Sequence, residues 1–219
     1  MKRRTLGMLG VAGAAVAAGA LAAATCPRGL RRRCLHWGAS AEEVARAIPG
    51  EEMMDGADLV STRAITINAA PERIWPWLVQ MGSGRGGAYS YDWIENLFGL
   101  DMHSADEILP RFQQLSLGDE LPLGERAPAM RVAVLRPNEV LGLRSTDGNW
   151  LWLFALYPVG AGTRLVSRNV ITLPPMGRAG RLAWRWVMEP GSLVMERKML
   201  LGIKARAERA PVAPQLVAT

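Results

Sequence analysis

The run Asn149–Tyr157 constrains this chain more than any other segment. Drawn as a strand, it puts Trp150, Trp152, Phe154 and Leu156 on one face and Leu151, Leu153 and Ala155 on the other. Both faces are apolar, so the strand belongs at the centre of a sheet. Its neighbours in sequence are strands as well. Asp119 to Leu123, Met130 to Arg136, Glu139 to Arg144 and Thr163 to Leu173 are short, rich in Val and Leu, and divided by Gly, Pro, Asn or Asp. Pro137-Asn138 and Gly160-Ala161-Gly162 read as hairpin turns.

Upstream, Ser61 to Asn68 alternates, with Arg63, Ile65 and Ile67 on one face and Thr62, Ala64 and Thr66 on the other. Pro71-Glu72 then opens a helix, because proline suits the first helical position and an acid suits the positive end of the dipole. Pro76 must kink this helix or keep it short. A second helix is expected from Ser90 to Phe98. At the far end, Arg178 to Met188 and Ser192 to Arg209 have helical composition, divided at Pro190-Gly191. Before the first strand, Ala41 to Ile48 reads as a short helix, with Ser40 as N-cap, Glu43 three residues on and Pro49-Gly50 as its end. The order is strand, two short helices, antiparallel strands, long terminal helix. That is an α+β layout: a curved antiparallel sheet closing around a terminal helix, with a cavity between them.

The stretch Arg63-Ala64-Ile65-Thr66-Ile67-Asn68-Ala69-Ala70-Pro71-Glu72-Arg73-Ile74-Trp75-Pro76-Trp77-Leu78 resembles the opening strand and first helix of the START-like helix-grip superfamily (SRPBCC). That superfamily includes polyketide cyclases and lipid-transfer domains. The stretch Val194 to Lys204 is similar to the gripping helix of uncharacterised bacterial members. The resemblance covers roughly residues 60 to 209. It implies the helix-grip fold and a hydrophobic tunnel under the long helix, and it supplies no catalytic motif that maps onto these residues.

The basic balance of the chain belongs to its head. Seven of the 26 basic residues (Lys2, Arg3, Arg4, Arg28, Arg31, Arg32 and Arg33) precede residue 34, where no acid stands. The other 19 face all 20 acids, so the body is near neutral and is not a nucleic-acid surface. Between the basic flanks, Leu6 to Ala24 is an uncharged run of 19 residues, nine of them Ala and four Gly. As a helix it would be about 28 Å long, just enough for a hydrocarbon core of roughly 30 Å. Two readings compete: an uncleaved single-pass anchor, and a secretory signal cut near Ala22-Ala23-Ala24. Pro27 close behind the cut, Thr25 before Cys26, and the arginines that follow at once favour the anchor, with the body on the cytoplasmic side. The division expected is 1–34 head, 35–60 linker or N-terminal extension, 61–209 helix-grip domain and 210–219 disordered tail. Cys26 and Cys34 both lie in the head, and the body holds one clear histidine, His103, with His36 at its edge. A zinc site of the usual His/Cys kind cannot be built from that set, and no metal or cofactor is expected.

Four groups are candidate sites. Trp150 and Trp152 on the central strand, with Met195 and Met199 on the last helix, are the expected cavity walls, Met being adaptable to irregular space; a filled core would use the same residues. Tyr89, Tyr91, Asp92, Trp93 and Glu95 suit either a pocket rim or the packing of the second helix. Gly82-Ser83-Gly84-Arg85-Gly86-Gly87 formally contains G-x-G-x-x-G, but it follows a helix where a dinucleotide motif follows a strand. Within it, Arg85 is a candidate anion contact. Asp101 and His103, with Asp106 nearby, form the one cluster with acid–base potential. Weighed against these is a plain surface loop, and no Gly-x-Ser-x-Gly elbow accompanies them. The reading favoured is binding or carriage of an apolar small molecule such as a lipid or polyketide, at a membrane. The alternatives are a cyclase-like enzyme using Arg85, Asp101 and His103 at the cavity mouth, and a protein-interaction module. The balance favours binding over turnover.

Overall fold

The computed structural model describes residues 28–97, 99–124 and 128–209. Six strands form one sheet: β1 (Leu59–Ile67), β2 (Glu120–Leu121), β3 (Met130–Arg136), β4 (Val140–Ser145), β5 (Trp150–Val159) and β6 (Gly162–Ile171). Their order across the sheet is β1-β6-β5-β4-β3-β2, and every neighbouring pair is antiparallel. The doubly apolar strand β5 lies inside the sheet between β4 and β6, as its two faces require. Asn138, with φ of 62°, turns β3 into β4, and Gly160, with φ of 57°, turns β5 into β6. Asn and Gly are the residues that take a left-handed turn at least cost.

Five of the helical segments frame this sheet: α1 (Arg28–Leu35), α2 (Ala41–Ala45), α3 (Pro71–Val79), α4 (Asp92–Leu97) and α5 (Arg178–Ala183). A sixth, α6 (Glu189–Ala207), is the long C-terminal helix. Its Met199, Leu200 and Ile203 pack on the inner face of the sheet with Ile67, Trp77 and Phe154. Gly202 permits the close approach. A Cβ there would lie 2.4 Å from the Tyr89 carbonyl oxygen and 2.8 Å from its Cβ. The chain therefore has a curved antiparallel sheet gripping a long terminal helix, with two short helices, α3 and α4, after the first strand.

The outer face has its own core. Leu151, Leu153 and Ala155 of β5 and Val166 and Val170 of β6 are covered by Ile48 and Met54 from the segment before β1. The helix α2 carries the expected capping box: the Glu43 amide donates to Ser40 Oγ at 3.2 Å, and the Ser40 amide donates to Glu43 Oε2 at 2.7 Å. It stops at Ala45, short of the expected Ile48. The residue before a proline avoids the helical region, and Ile48, before Pro49, is needed as a buried anchor on the sheet. Arg168 of β6, 2% exposed, closes this cover. Its guanidinium donates to the carbonyls of Glu43, Val44 and Arg46 and to the Glu51 carboxylate.

The C-terminal helix differs from its expected form. Pro190-Gly191 does not divide it, because α6 starts at Glu189 and Pro190 falls in its first turn, where no partner for its missing N–H is needed. Trp184–Met188, just before, is a π turn, in which the Glu189 amide donates to the Trp184 carbonyl. The wider turn carries the chain from α5 into α6 without an interruption.

Candidate functional site

A cavity of about 610 Å³ lies between the inner face of the sheet and the C-terminal helix. Trp150 and Trp152 come from β5, where their indoles stack at 5.4 Å between ring centroids. Met195 and Met199 come from α6, and Trp184 and Met188 from the π turn. Leu59, Ile171 and Leu173 extend the apolar wall. The exposed lining residues Asp147, Asn149 and Met188 mark where the cavity meets solvent. The volume suits a small apolar ligand, within the usual range of such sites. Four of the residues expected as cavity walls, Trp150, Trp152, Met195 and Met199, thus line one space.

The floor of the cavity is polar, and its hydrogen bonds interlock. Trp150 Nε1 donates to Asn169 Oδ1 at 2.8 Å, and Trp152 Nε1 donates to Ser167 Oγ at 2.9 Å. Asn169 Nδ2 donates at 3.0 Å to Glu196 Oε2, which also accepts from Arg63 Nη1. Arg63 is completely buried, and Glu196 is 7% exposed. The remaining Arg63 donors reach the Cys34 carbonyl of α1 (3.1 Å) and Ser192 Oγ of α6 (2.9 Å). One guanidinium on β1 thereby ties both helices to the sheet. A buried ion pair of this kind orients its partners more than it stabilises the fold. Burial pushes the Glu196 carboxyl up from its ordinary value, and the charge on Arg63 opposes the shift. A second carboxyl, Glu95 of α4, lines the cavity and is 8% exposed. It accepts from Ser90 Oγ at 2.6 Å, and burial pushes it up as well, with Asp92 acting in the same direction.

The candidate acid–base group stands apart from the cavity. His103 and Asp101 pair at 3.1 Å between Nε2 and Oδ1, but their side chains are 76% and 73% exposed and lie outside the cavity. Their loop is held by other contacts: Asn96 bonds both backbone groups of Met102, and Asp92 takes the Ser104 amide and hydroxyl. Arg85 is turned the other way. It donates to the carbonyls of Val79, Met81 and Phe112 and stacks on the Phe112 ring at 4.5 Å. It closes the C-terminal end of α3, whose last carbonyls would otherwise lack partners, so its Nε and Nη2 donors are taken up by backbone. The glycine loop around it is a closed turn, with Gly82 and Gly87 bonding each other both ways. At Gly87, φ is +70° and a Cβ would lie 2.7 Å from the His103 carbonyl, so this loop is packed against the His103–Ser104 backbone.

The aromatic group divides. Tyr89 is buried, donates to the Trp77 carbonyl at 2.9 Å and packs edge-on against the Trp77 ring; it belongs to the core beneath α6. Burial pushes its hydroxyl above the ordinary tyrosine range. Tyr91 lies under Lys198, 5.8 Å from the ammonium to the ring, and Trp93 is 70% exposed; neither lines the cavity. Glu95, from the same stretch, does. Sequence reasoning missed the Arg63–Glu196 pair. The signal was present: an arginine on the same strand face as Ile65 and Ile67 demands an acid from whatever covers that face. Among the described residues no group of His, Cys, Asp and Glu could hold a metal ion.

The apolar run 6–24 lies outside the described residues, as does the tail 210–219. Among the described residues no helix is long and apolar enough to cross a membrane. The basic stretch after that run is partly folded onto the domain, where Arg31 makes a two-pronged pair with the buried Glu189 at the start of α6, both contacts at 2.9 Å.

No protein-family profile matches the chain, and no curated protein matches it. Solved structures do. The KanY protein is 14% identical, with a TM-score of 0.47 over 70% of this chain and 99% of that one. A protein from Mesorhizobium loti is 14% identical, with a TM-score of 0.43 over 69% of this chain and 98% of that one. A polyketide-cyclase-like protein from Corynebacterium glutamicum is 15% identical, with a TM-score of 0.36 over 69% of this chain and 91% of that one. The element order and the grip of α6 within the curved sheet give the chain, on their own, the START-like helix-grip fold that the sequence resemblance implied.

Proposed function

We propose that this protein binds and carries an apolar small molecule in the cavity beneath α6. The observation that carries the reading is a 610 Å³ space lined by Trp150, Trp152, Met195 and Met199, with a polar floor whose indole and amide donors are bonded within it. Empty apolar volume in a core costs stability, so a cavity of this size points to an occupant. The enzyme reading built on Arg85, Asp101 and His103 has less support, because the Asp101–His103 pair stands in solvent outside the cavity and Arg85 is turned to backbone carbonyls.

The work is proposed to take place at a membrane, through an anchor at residues 6–24 with the domain on the cytoplasmic side. The segment beside the cavity opening supports this. Leu182 and Val187 are 55% and 62% exposed, and Arg178, Arg181 and Arg185 lie among them. Apolar residues interleaved with arginines suit the surface of an anionic bilayer.

Nile red, a neutral dye that brightens in apolar surroundings, tests the cavity with the full-length protein. Saturable binding is expected. Met195→Trp, which fills the space from a half-buried position, should weaken binding about tenfold or more and leave the unfolding transition in place. A titration unchanged by Met195→Trp would remove the cavity as the site.

A further inference from the structure

The polar accounts of the cavity do not balance, and the imbalance names a ligand. The donors of the floor are met from within, and the Ser167 hydroxyl, which accepts from Trp152, also reaches the Glu196 carboxyl. Trp150 and Trp152 donate to Asn169 and Ser167, Asn169 donates to Glu196, and the Arg63 donors go to Glu196, Ser192 and a backbone carbonyl. Ser192 passes its own hydroxyl proton to the Glu189 carbonyl at 2.9 Å. Two carboxylate oxygens are left over, Glu196 Oε1 and Glu95 Oε2. Glu95 Oε2 is buried without a hydrogen-bond partner, and Glu196 Oε1 is buried with only the Ser167 hydroxyl near its carboxyl; the two residues line the cavity from different helices. Among the described residues, the Trp184 indole N–H, from the π turn, is the one buried lining donor left without an acceptor.

A buried carboxylate oxygen with no partner loses its hydration and gains nothing in return, and hydrogen bonds to charged groups are the strong ones. We infer that the cavity selects an apolar molecule carrying a hydrogen-bond donor, a hydroxyl or a protonated amine, and that Glu196 and Glu95 accept from it. This rests on the cavity being the binding site. An acceptor-only head group would find two carboxylates and a single indole, and a carboxylate head would be repelled. A hydroxyl can serve a glutamate as donor and the indole as acceptor. An ammonium serves the glutamates alone and would pair with Glu95, which has no cation in contact among the described residues. The upward shift of both carboxyls is what an unmet acceptor in an apolar wall produces, and a donor from the ligand would relieve it.

The test is displacement of Nile red from the full-length protein at pH 8 by four ligands of equal chain length: dodecan-1-ol, dodecylamine, dodecyl methyl ether and dodecanoate. The alcohol, the amine or both should displace the dye at concentrations tenfold or more below the ether and the dodecanoate, the scale of one hydrogen bond to a charged group. Which of the two is tighter assigns hydroxyl or ammonium. An ether or dodecanoate that competes as well as both donors overturns the inference and leaves the cavity standing. Failure of Nile red to bind at all overturns the cavity and the inference together. Two variants locate the acceptors. Glu95→Leu, whose one side-chain partner is Ser90, should keep the fold and shrink the preference for donor over ether. Glu196→Gln should do the same where the buried Arg63 tolerates it. A preference unchanged in a folded Glu95→Leu and a folded Glu196→Gln would also overturn the assignment.

Discussion

Three buried or half-buried arginines show what single side chains do in this chain. Arg63 binds a carboxylate, a serine and a carbonyl under α6; Arg168 closes the end of α2; Arg85 closes the end of α3. Each has a planar fork of donors, so each can serve several carbonyls from one fixed position. Glu95 is the opposite case, a buried acid with one hydroxyl for company. Its folded carboxyl is raised above its ordinary value of 4.5 by burial first. Below that value both the folded and unfolded states hold the proton, and the group makes no difference. As pH rises through 4.5 the unfolded chain releases its proton while the folded chain retains it, so stability falls across the window that begins there. Glu95→Gln should remove this slope. Urea unfolding at pH 4 and pH 8 should show the variant equal to the parent at the lower pH and at least as stable at the higher. A variant clearly weaker at pH 8 would mean that the ionised carboxylate has a partner in the folded protein.

At the scale of elements, the grip of α6 depends on one small residue. Replacing Gly202 by alanine would raise helix propensity by about 1 kcal/mol if nothing else touched it. The added Cβ, however, meets the Tyr89 backbone at 2.4 Å, and that tyrosine is fixed by its bonds to Trp77 and Ser104. Overpacking of this kind costs about 1–3 kcal/mol, so packing outweighs propensity. Gly202→Ala should lower the urea midpoint without changing the slope of the transition, and a raised midpoint would show that α6 does not lie as close to Tyr89 as described. The same close fit explains why α6 continues through Pro190-Gly191. Glu189, Ser192 and Glu196 each hold a partner on α1 or β1, so the first turns of the helix are tied down from outside.

For the whole molecule, the sheet is covered on both faces: by α6 within and by residues 39–57 without. Arg31 ties α1 to α6 through Glu189. The segment that leads toward the apolar run 6–24 is thus part of the folded body. If residues 6–24 anchor the protein, full-length chain should pellet with membranes and resist a carbonate wash, and the body should survive protease added outside intact cells. N-terminal sequencing of an exported protein beginning near Thr25 or Cys26 would overturn the anchor and place the binder outside the cytoplasm.

Local patterns determined most of the elements of this protein, though not α1 or the unbroken passage from α5 into α6. Alternation placed Arg63, Ile65 and Ile67 together, two apolar faces put β5 inside the sheet, and Pro71-Glu72 and the Ser40–Glu43 box started two helices, because strand period, proline geometry and capping act over a few residues. The same patterns placed Trp150, Trp152, Met195 and Met199 on facing surfaces, and could not say whether the space between was filled. That depends on how closely α6 approaches the sheet, which Gly202 and Tyr89 set from residues far apart in sequence. Nor could spacing find the partner of Arg63, since Glu196 lies 133 residues away. Arg85 and His103 looked chemical because their residue types allow chemistry. Only the fold decided that one caps a helix and the other stands in solvent, for a polar group acts through whatever tertiary packing leaves within its reach.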